Sequence, residues 1–380
     1  MKPSFDRLRR QLLLQGLALS AGAVPALAAQ AAESDGRRLL EPRPLAFPAD
    51  HGSHNEARTE WWYLTGWLQD EAQRLYGFQV TFFRSRVDPA QGLRSRLAAR
   101  QLLFAHAALT DLAGAVHWHD QALARWNGEP AAWPGPQARA ALHDTDVRLR
   151  GWRLQRQASD GAYRTGIRAS DFALTLDATP TQPLLLQGDR GWSRKGPEPD
   201  QASQYYSQPQ LRVSGQLQVA NRMLQVQGRA WLDHEWSEEL LHPEAVGWDW
   251  IGINLDDGAS LTAFRLRRAD GSALWAGGSW RPARGAAARI FAPSEVGFEP
   301  LRDWISPATG IPYPVEWRVM TPAGRFRVAA LLDAQELDSR RSTGAIYWEG
   351  LSELRAEQGG QRLGLGYLEL TGYGGRLALK

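Results

Sequence analysis

Cysteine is absent from the 380 residues. That excludes disulfides, thiolate zinc sites, iron–sulfur clusters, a lipoprotein anchor and a cysteine nucleophile together, and it leaves stability to the hydrophobic core. Long apolar runs are missing as well. The stretch at residues 12–24 is broken by Gln15 and is shorter than the roughly 20 residues needed to cross hydrocarbon, so no membrane-spanning segment is expected. Blocks of Lys and Arg are lacking. Gly-x-Ser-x-Gly does not occur, which removes a serine-esterase elbow. His234-Glu235-Trp236-Ser237-Glu238 carries Glu where a zinc-protease motif has its second His.

What is present begins with a targeting signal. Lys2, Arg7, Arg9 and Arg10 precede the apolar run and Ala26-Leu27-Ala28 forms a small-x-small cleavage site, so residues 1–28 are expected to be a signal peptide cut after Ala28. Arg9-Arg10 followed by Gln11, Leu12 and Leu13 resembles a twin-arginine signal and leaves Sec and folded-state export both open. A periplasmic or secreted location follows. Removing this segment takes four bases and one acid from 44 Lys+Arg and 41 Asp+Glu, leaving 40 of each. A formally neutral chain offers no electrostatic footprint for nucleic acid or an anionic membrane.

The remaining sequence reads as strands nearly throughout. Segments of five to nine residues rich in aromatic and β-branched side chains alternate with Gly, Pro, Asn or Asp turns, the pattern of a sandwich or barrel. Hairpins are legible at 61–68 with 76–84, at 215–219 with 223–231 about Asn221, and at 261–267 with 273–276 about Asp270-Gly271. Later strands are expected at 315–320, 325–330, 345–351 and 363–371. No segment after the signal combines a helical period with caps. After a leader at 29–40, about 350 residues exceed what one core usually serves. The expectation is therefore all-β, with two barrels in tandem over 41–238 and 239–380. Loops at 128–137 and 188–204 read as surface excursions.

The 17 tryptophans are more than core packing requires. A buried indole supplies apolar area but needs a partner for its N–H, so Trp collects where an apolar ligand meets a polar rim. On an extended strand Trp61 and Trp62 point to opposite faces, while Trp248 and Trp250 share a face and Asp249 opposes them.

Several blocks resemble one family: Asp50-His51-Gly52-Ser53-His54, Thr59-Glu60-Trp61-Trp62-Tyr63-Leu64-Thr65-Gly66, Phe104-Ala105-His106, Tyr205-Tyr206-Ser207, Trp231-Leu232-Asp233-His234-Glu235-Trp236, and the run from Gly366 to Tyr373. Together they closely resemble the AttH/carotenoid 1,2-hydratase family over residues 45–375. The resemblance implies two lipocalin-like β-barrels. It also implies either hydration of a terminal isoprenoid double bond or exported members linked with ABC-type export systems.

A hydratase needs an acid to protonate an alkene carbon, an acceptor for the water proton, and aromatic faces that attract the cation by roughly 0.5–2 kcal/mol each. A carboxylic acid in an apolar pocket has a raised pKa and can supply that proton. His234 and Trp236 match the positions that the resemblance implies are catalytic, with Asp233, Asp249 and Asp256 as alternative carboxylate partners; no tyrosine lies between Trp248 and Leu266 to accompany them. His234 is equally compatible with a structural role. Glu60 could be an acid in a dry site or a buried carboxylate bridging to Arg84. The expected ligand wall is Glu60, Trp61, Trp62, Tyr63, Arg84, His106, Tyr205, Tyr206, Trp248 and Trp250. His51 and His54 flank an approach loop without an evident third ligand, so no metal or other cofactor is expected. His117 and His119 read as an exposed hairpin. The expected partner is an apolar small molecule or lipid. The readings that compete are a carrier of that molecule, a hydratase acting on it, and a carbohydrate-active β-protein using Trp platforms.

Overall fold

The structure is a computed structural model describing residues 40–376 apart from residues 96, 130–136, 240 and 284–285. The expected signal peptide, nearly all of the leader and the Pro-rich part of the 128–137 loop lie outside the described residues. Among the described residues there is no α-helix, only short 3-10 turns, and no helix is long and apolar enough to cross a membrane.

The chain is all-β, two lipocalin-like barrels in tandem. The first sheet runs from β1 (Thr59–Asp70), β2 (Leu75–Arg86), β3 (Gln101–Asp111) and β4 (Val116–Trp126) to β12 (Ala202–Val219) and β13 (Arg222–Ser237). Between these, β5 (Ala138–Ala140), β6 (Asp146–Leu149), β7 (Trp152–Arg156), β8 (Tyr163–Arg168), β9 (Phe172–Thr179), β10 (Leu185–Leu186) and β11 (Trp192–Arg194) complete it. Its order is β4-β3-β2-β1-β13-β12-β9-β8-β7-β6-β5, with β10 and β11 on β12, and β5 and β6 approach β4, so the sheet nearly closes.

The second sheet contains β14 (Ala245–Leu255), β15 (Ser260–Arg268), β16 (Ala273–Arg281), β17 (Arg289–Phe291), β18 (Gly297–Ile305), β19 (Pro312–Thr321), β20 (Gly324–Ala330), β21 (Glu336–Asp338), β22 (Ile346–Ala356) and β23 (Arg362–Leu370). Its order is β17-β16-β15-β14-β23-β22-β20-β19-β18, with β21 on β22. In both sheets the first strand pairs with the last, β1 with β13 and β14 with β23. That pairing sets the ends of each sheet at other strands: β4 and β5 meet and nearly close the first barrel, whereas β17 and β18 leave the second a half-barrel.

Turn chemistry explains the hairpins. Ala220 and Asn221, both with positive φ, form the two-residue link between β12 and β13, the turn whose twist matches two antiparallel strands. A bulge in β12 places Gln210 at φ 55°, where its backbone N–H donates to Asn254 Oδ1 and its side-chain Nε2 to Leu255 O and Ala259 O at the end of β14 and the following turn. The irregularity thus ties the barrels together.

Three apolar layers result. Trp62, Leu64, Phe82, Leu232 and Trp236 fill the first barrel, and Ile251, Ile253, Trp317, Trp348 and Leu368 fill the second. The opposite faces of the same strands supply Tyr63, Trp231, Trp250, Phe264, Leu351 and Tyr367 to a layer between the barrels. Strand alternation therefore decides, residue by residue, whether a side chain enters a barrel or the space between them.

Candidate functional site

The even-numbered face of β1 carries Glu60 into the first barrel, directly across from Arg84 on β2 and Trp236 on β13. Arg84 Nε donates to Glu60 Oε2 at 2.7 Å, and its other nitrogens donate to Gln101 Oε1 and to the carbonyls of His54 and Ala57. Glu60 Oε1 meets His54 Nδ1 at 2.8 Å and His234 Nε2 at 3.0 Å, and the carboxylate also accepts from Ser53 and from the His54 amide. His234 Nδ1 lies 3.0 Å from the Tyr206 hydroxyl, which lies 2.8 Å from His51 Nδ1. Trp62 stacks on His234 at 4.7 Å between centroids and Trp236 on His54 at 3.6 Å.

Burial alone would raise the pKa of Glu60, but the Arg84 guanidinium and the two imidazoles override it and hold the carboxyl well below its usual range. Burial pushes His234 down to about 4 and His51 to about 3, so both rings are neutral. This cluster is a self-satisfied ion-pair network closing one end of the barrel. Glu60 and Arg84 border the cavity described below, yet their side chains are fully covered. The donor atoms of His54, Glu60 and His234 come within 4.8 Å of one another, a spacing a metal ion could use. They already bond one another, and a cation would sit beside the guanidinium on the same carboxylate, so the residues do not fit a metal.

The outer face of the first sheet, odd-numbered on β1, β2, β12 and β13 and even-numbered on β3, looks onto the second sheet across a cavity of about 130 Å³. Trp61, Tyr63, Phe83, Phe104 and Tyr205 wall it from one side, and Trp248, Trp250, Phe264 and Tyr347 from the other. Gly252 makes the seat for Trp250: a Cβ there would fall 2.3 Å from the indole. Set into these aromatic walls are Asp233, Glu235, Glu349 and Glu369.

Asp233 accepts from the Tyr205 hydroxyl at 2.7 Å, the Ser207 hydroxyl at 2.5 Å and the Trp231 indole at 2.7 Å. Burial outweighs these bonds and pushes its pKa up to about 7. Burial likewise pushes Glu369 up to about 7, helped by the charges of Asp233 and Glu235 and opposed by the Trp248 indole. Glu349 stands well above the usual range, through burial first and then Glu369, with the hydroxyls of Tyr63 and Tyr347 pulling the other way. Glu235 differs, because Lys195 Nζ sits 3.0 Å from it while lying over the rings of Tyr205 and Phe264. His106 Nδ1 meets the Tyr347 hydroxyl at 2.7 Å, and burial lowers its pKa to about 3.

The residues singled out in the sequence thus divide. Trp61, Tyr63, His106, Tyr205, Asp233, Trp248 and Trp250 meet at the cavity. Trp62, Tyr206, His234 and Trp236, with Glu60 and Arg84, belong to the interior network of the first barrel. Asp249 points into the second barrel, held by Arg265 Nε at 2.7 Å, Arg267 Nη1 at 2.8 Å and the Tyr373 hydroxyl at 2.8 Å. Asp256 lies in an exposed turn after β14, 3.7 Å from Arg362. His51 and His54 are buried rather than placed on an approach loop, because Tyr206, Asp50 and Glu60 bind their rings. His117 and His119 contact Thr110 and the Asp338 amide instead of standing on a free hairpin. Glu349 and Glu369 escaped the sequence reading. The signal was there: each is an acid set among apolar and aromatic neighbours, in Tyr347-Trp348-Glu349 and Tyr367-Leu368-Glu369-Leu370.

Comparison with known proteins fits this architecture. A family profile described as AttH-like matches residues 38–373. An AttH-assigned protein of Nitrosomonas europaea is 47% identical, with a TM-score of 0.80 over 88% of this chain and 99% of that one. Kievitone hydratase from Nectria haematococca shares the fold at 13% identity and a TM-score of 0.62, covering 89% of this chain and 94% of its own. CghA with Sch210972 does so at 14% identity and 0.53, covering 84% and 89%. No curated protein matches the sequence. The match over most of its length, joined to a relative nearly half identical, establishes that the chain belongs to the AttH-like family.

Proposed function

We propose that the chain binds a small apolar molecule between its barrels and adds water across a carbon–carbon double bond of that molecule. The observation that carries this reading is the pairing of aromatic walls with buried acids that keep their protons near neutral pH. A cavity of about 130 Å³ compares with the roughly 150 Å³ hollow that holds one benzene ring. It suits an aromatic ring or a branched alkene end and is a poor match for a sugar chain. Protonation of such an alkene leaves a tertiary or benzylic cation, which the faces of Trp61, Trp248 and Trp250 would attract. Water then adds, and its proton passes to an ionised neighbour.

The acid–base set named here lies on the cavity face, so His234 and Trp236 act from behind it by holding β13 and β1 in place. A carrier would need the aromatic walls but not the unpaired acids, which is why hydration is the better reading. The basic N-terminus and Ala26-Leu27-Ala28 support an exported protein working on this molecule outside the cytoplasm.

The purified protein, incubated with acyclic isoprenoids and prenylated phenols in isotope-labelled water, should yield alcohols carrying the label. Native mass spectrometry of the same samples should show one molecule bound. Binding without label in any product would reduce the protein to a carrier, and neither result would remove the reading altogether.

A further inference from the structure

Glu349 on β22 and Glu369 on β23 are direct cross-strand partners, and Glu369 in turn faces Trp250 on β14. Both carboxyls therefore emerge on the cavity side within reach of each other, since opposed side chains on one face start about 5 Å apart. Like charges at such a position repel, and no arginine or lysine is registered opposite either residue. Glu349 Oε1 is buried at the cavity and lacks a hydrogen bond of good geometry, as does the Tyr63 hydroxyl, although that hydroxyl lies near enough to favour the ionised carboxylate. Two buried polar atoms so incompletely bonded, one on each wall of the cavity, are unusual in a folded chain. They mark where a bound molecule or water completes the set.

Asp233 offers a contrast on the facing wall. Its two oxygens already receive Tyr205, Ser207 and Trp231, and Ser207 is itself held by Gln187, so it is anchored within the wall. Glu235 is committed to Lys195 and Ser203.

We propose that Glu349 and Glu369 hold one proton between them and form the proton-transfer pair of the cavity. This rests on reading the cavity as a hydration site. The protonated member gives its proton to the less substituted alkene carbon, using the π electrons for the new C–H bond and leaving a cation on the adjacent carbon. A water oxygen bonds to that cation, and the water's surplus proton goes to the ionised member. The product is the alcohol, and the pair again holds one proton, now on the other oxygen set, so no external acid or base is consumed.

The groups facing the pair are Tyr63 of β1, Asp233 and Glu235 of β13 with Lys195 on the latter, Tyr347 of β22, and Tyr367 of β23. His106 reaches the pair only through Tyr347 and is neutral. None supplies a free cation that would let both glutamates ionise together.

The test uses the full chain with its glutamates isotope-labelled at the side-chain carboxyl, so that infrared bands of Glu separate from those of Asp233. The wild type should show a protonated glutamate at pH 7. In Glu349→Gln and in Glu369→Gln the acid that remains should titrate lower than in the wild type by about one pH unit or more, because its like-charged partner is gone. Absence of the band in the wild type, or a midpoint that neither substitution moves, overturns the shared proton. Turnover supplies the second arm. Each Gln variant that keeps the wild-type circular dichroism should lose on the order of 10²-fold or more in kcat on the isoprenoid alkenes, with KM little changed. Label incorporation within about twofold of the wild type in both variants overturns the pair while sparing hydration. A wild type that adds no water to any alkene overturns hydration, and the infrared arm then decides the shared proton by itself.

Discussion

Buried carboxyls inside the barrels and those between them meet opposite fates. Glu60 and Asp249 point into the first and second barrels, and each is paired across the strand with an arginine, Arg84 and Arg265. Asp233, Glu349 and Glu369 point between the barrels, and their registered partners are Tyr63, Ser207, each other and Trp250. Desolvation works on all of them in the same direction. For Glu60 the counter-ion outweighs burial and the carboxyl is held below its usual range, whereas Asp233, Glu349 and Glu369, with no such partner, are pushed above theirs.

The largest effect should come from removing a counter-ion. Arg84→Met would leave Glu60 charged and buried without its guanidinium, held by two imidazoles, the Ser53 hydroxyl and the His54 amide, and we expect a loss of about 3–5 kcal/mol in chemical denaturation. Arg265→Met should cost less, because Arg267 and Tyr373 remain on Asp249. The double change Glu60→Met/Arg84→Met should recover part of the loss, since no lone charge is left behind. Equal costs for the two arginines would mean that Arg267 and Tyr373 do not support Asp249 once Arg265 is gone.

Neighbouring tryptophans sharpen the same comparison. Trp62 is fully buried in the first barrel and Trp61 lines the cavity. Trp62→Ala should cost about 3–5 kcal/mol of stability. Trp61→Ala should cost about 1 kcal/mol while weakening uptake of the isoprenoid probe, read by native mass spectrometry.

How much of this was open to the sequence follows from the same alternation. Turn residues and period-two patterning around Asn221 and Asp270-Gly271 were enough for the barrels, because hairpin chemistry is local. The opposition of Trp61 to Trp62, and of Asp249 to Trp248 and Trp250, follows from strand geometry alone. Which of the two faces meets the cavity does not. β1 and the second half of β13, residues 230–237, are covered on both sides, by the barrel interior and by the other barrel, so neither face is marked by polarity. His234 therefore looked as eligible as Asp233. The Glu349–Glu369 pair depends on the register of β22 with β23, a long-range fact that no local motif carries.

Stability against pH should separate the two groups of carboxyls on opposite sides of neutrality. Asp233 has its pKa raised from 3.8 to about 7, so the folded chain keeps a proton that the unfolded chain has lost. Its contribution is complete below about pH 4 and disappears as the pH rises through 7. Asp233→Asn should therefore gain on the wild type by a few kcal/mol between about pH 4 and pH 8. In the first barrel the signs reverse. His234 and His51 have lowered pKa values, about 4 and about 3, so their contribution is present above 6.5 and is lost as the pH falls toward 4. Glu60 adds to that acid-side loss below about 4.5. Denaturation midpoints across pH 3–9 would show both arms in the wild type, and in Asp233→Asn an unchanged acid arm with a shallower alkaline arm, the remainder of which belongs to Glu349 and Glu369.

The smallest effect is reserved for an acid that belongs to neither group. Asp256 has the same chemistry as Asp233 and lies only a few residues beyond Trp250, yet it is exposed and its neighbour Arg362 is 3.7 Å away with half its side chain in water. Water already solvates both charges, and such a surface pair contributes little once side-chain entropy is counted. Asp256→Asn should leave stability within about 0.5 kcal/mol of the wild type and leave labelled-water incorporation intact. A clear loss of turnover here would mean that proton transfer does not depend on burial between the barrels, and the distinction between paired, unpaired and solvated acids would lose its functional meaning.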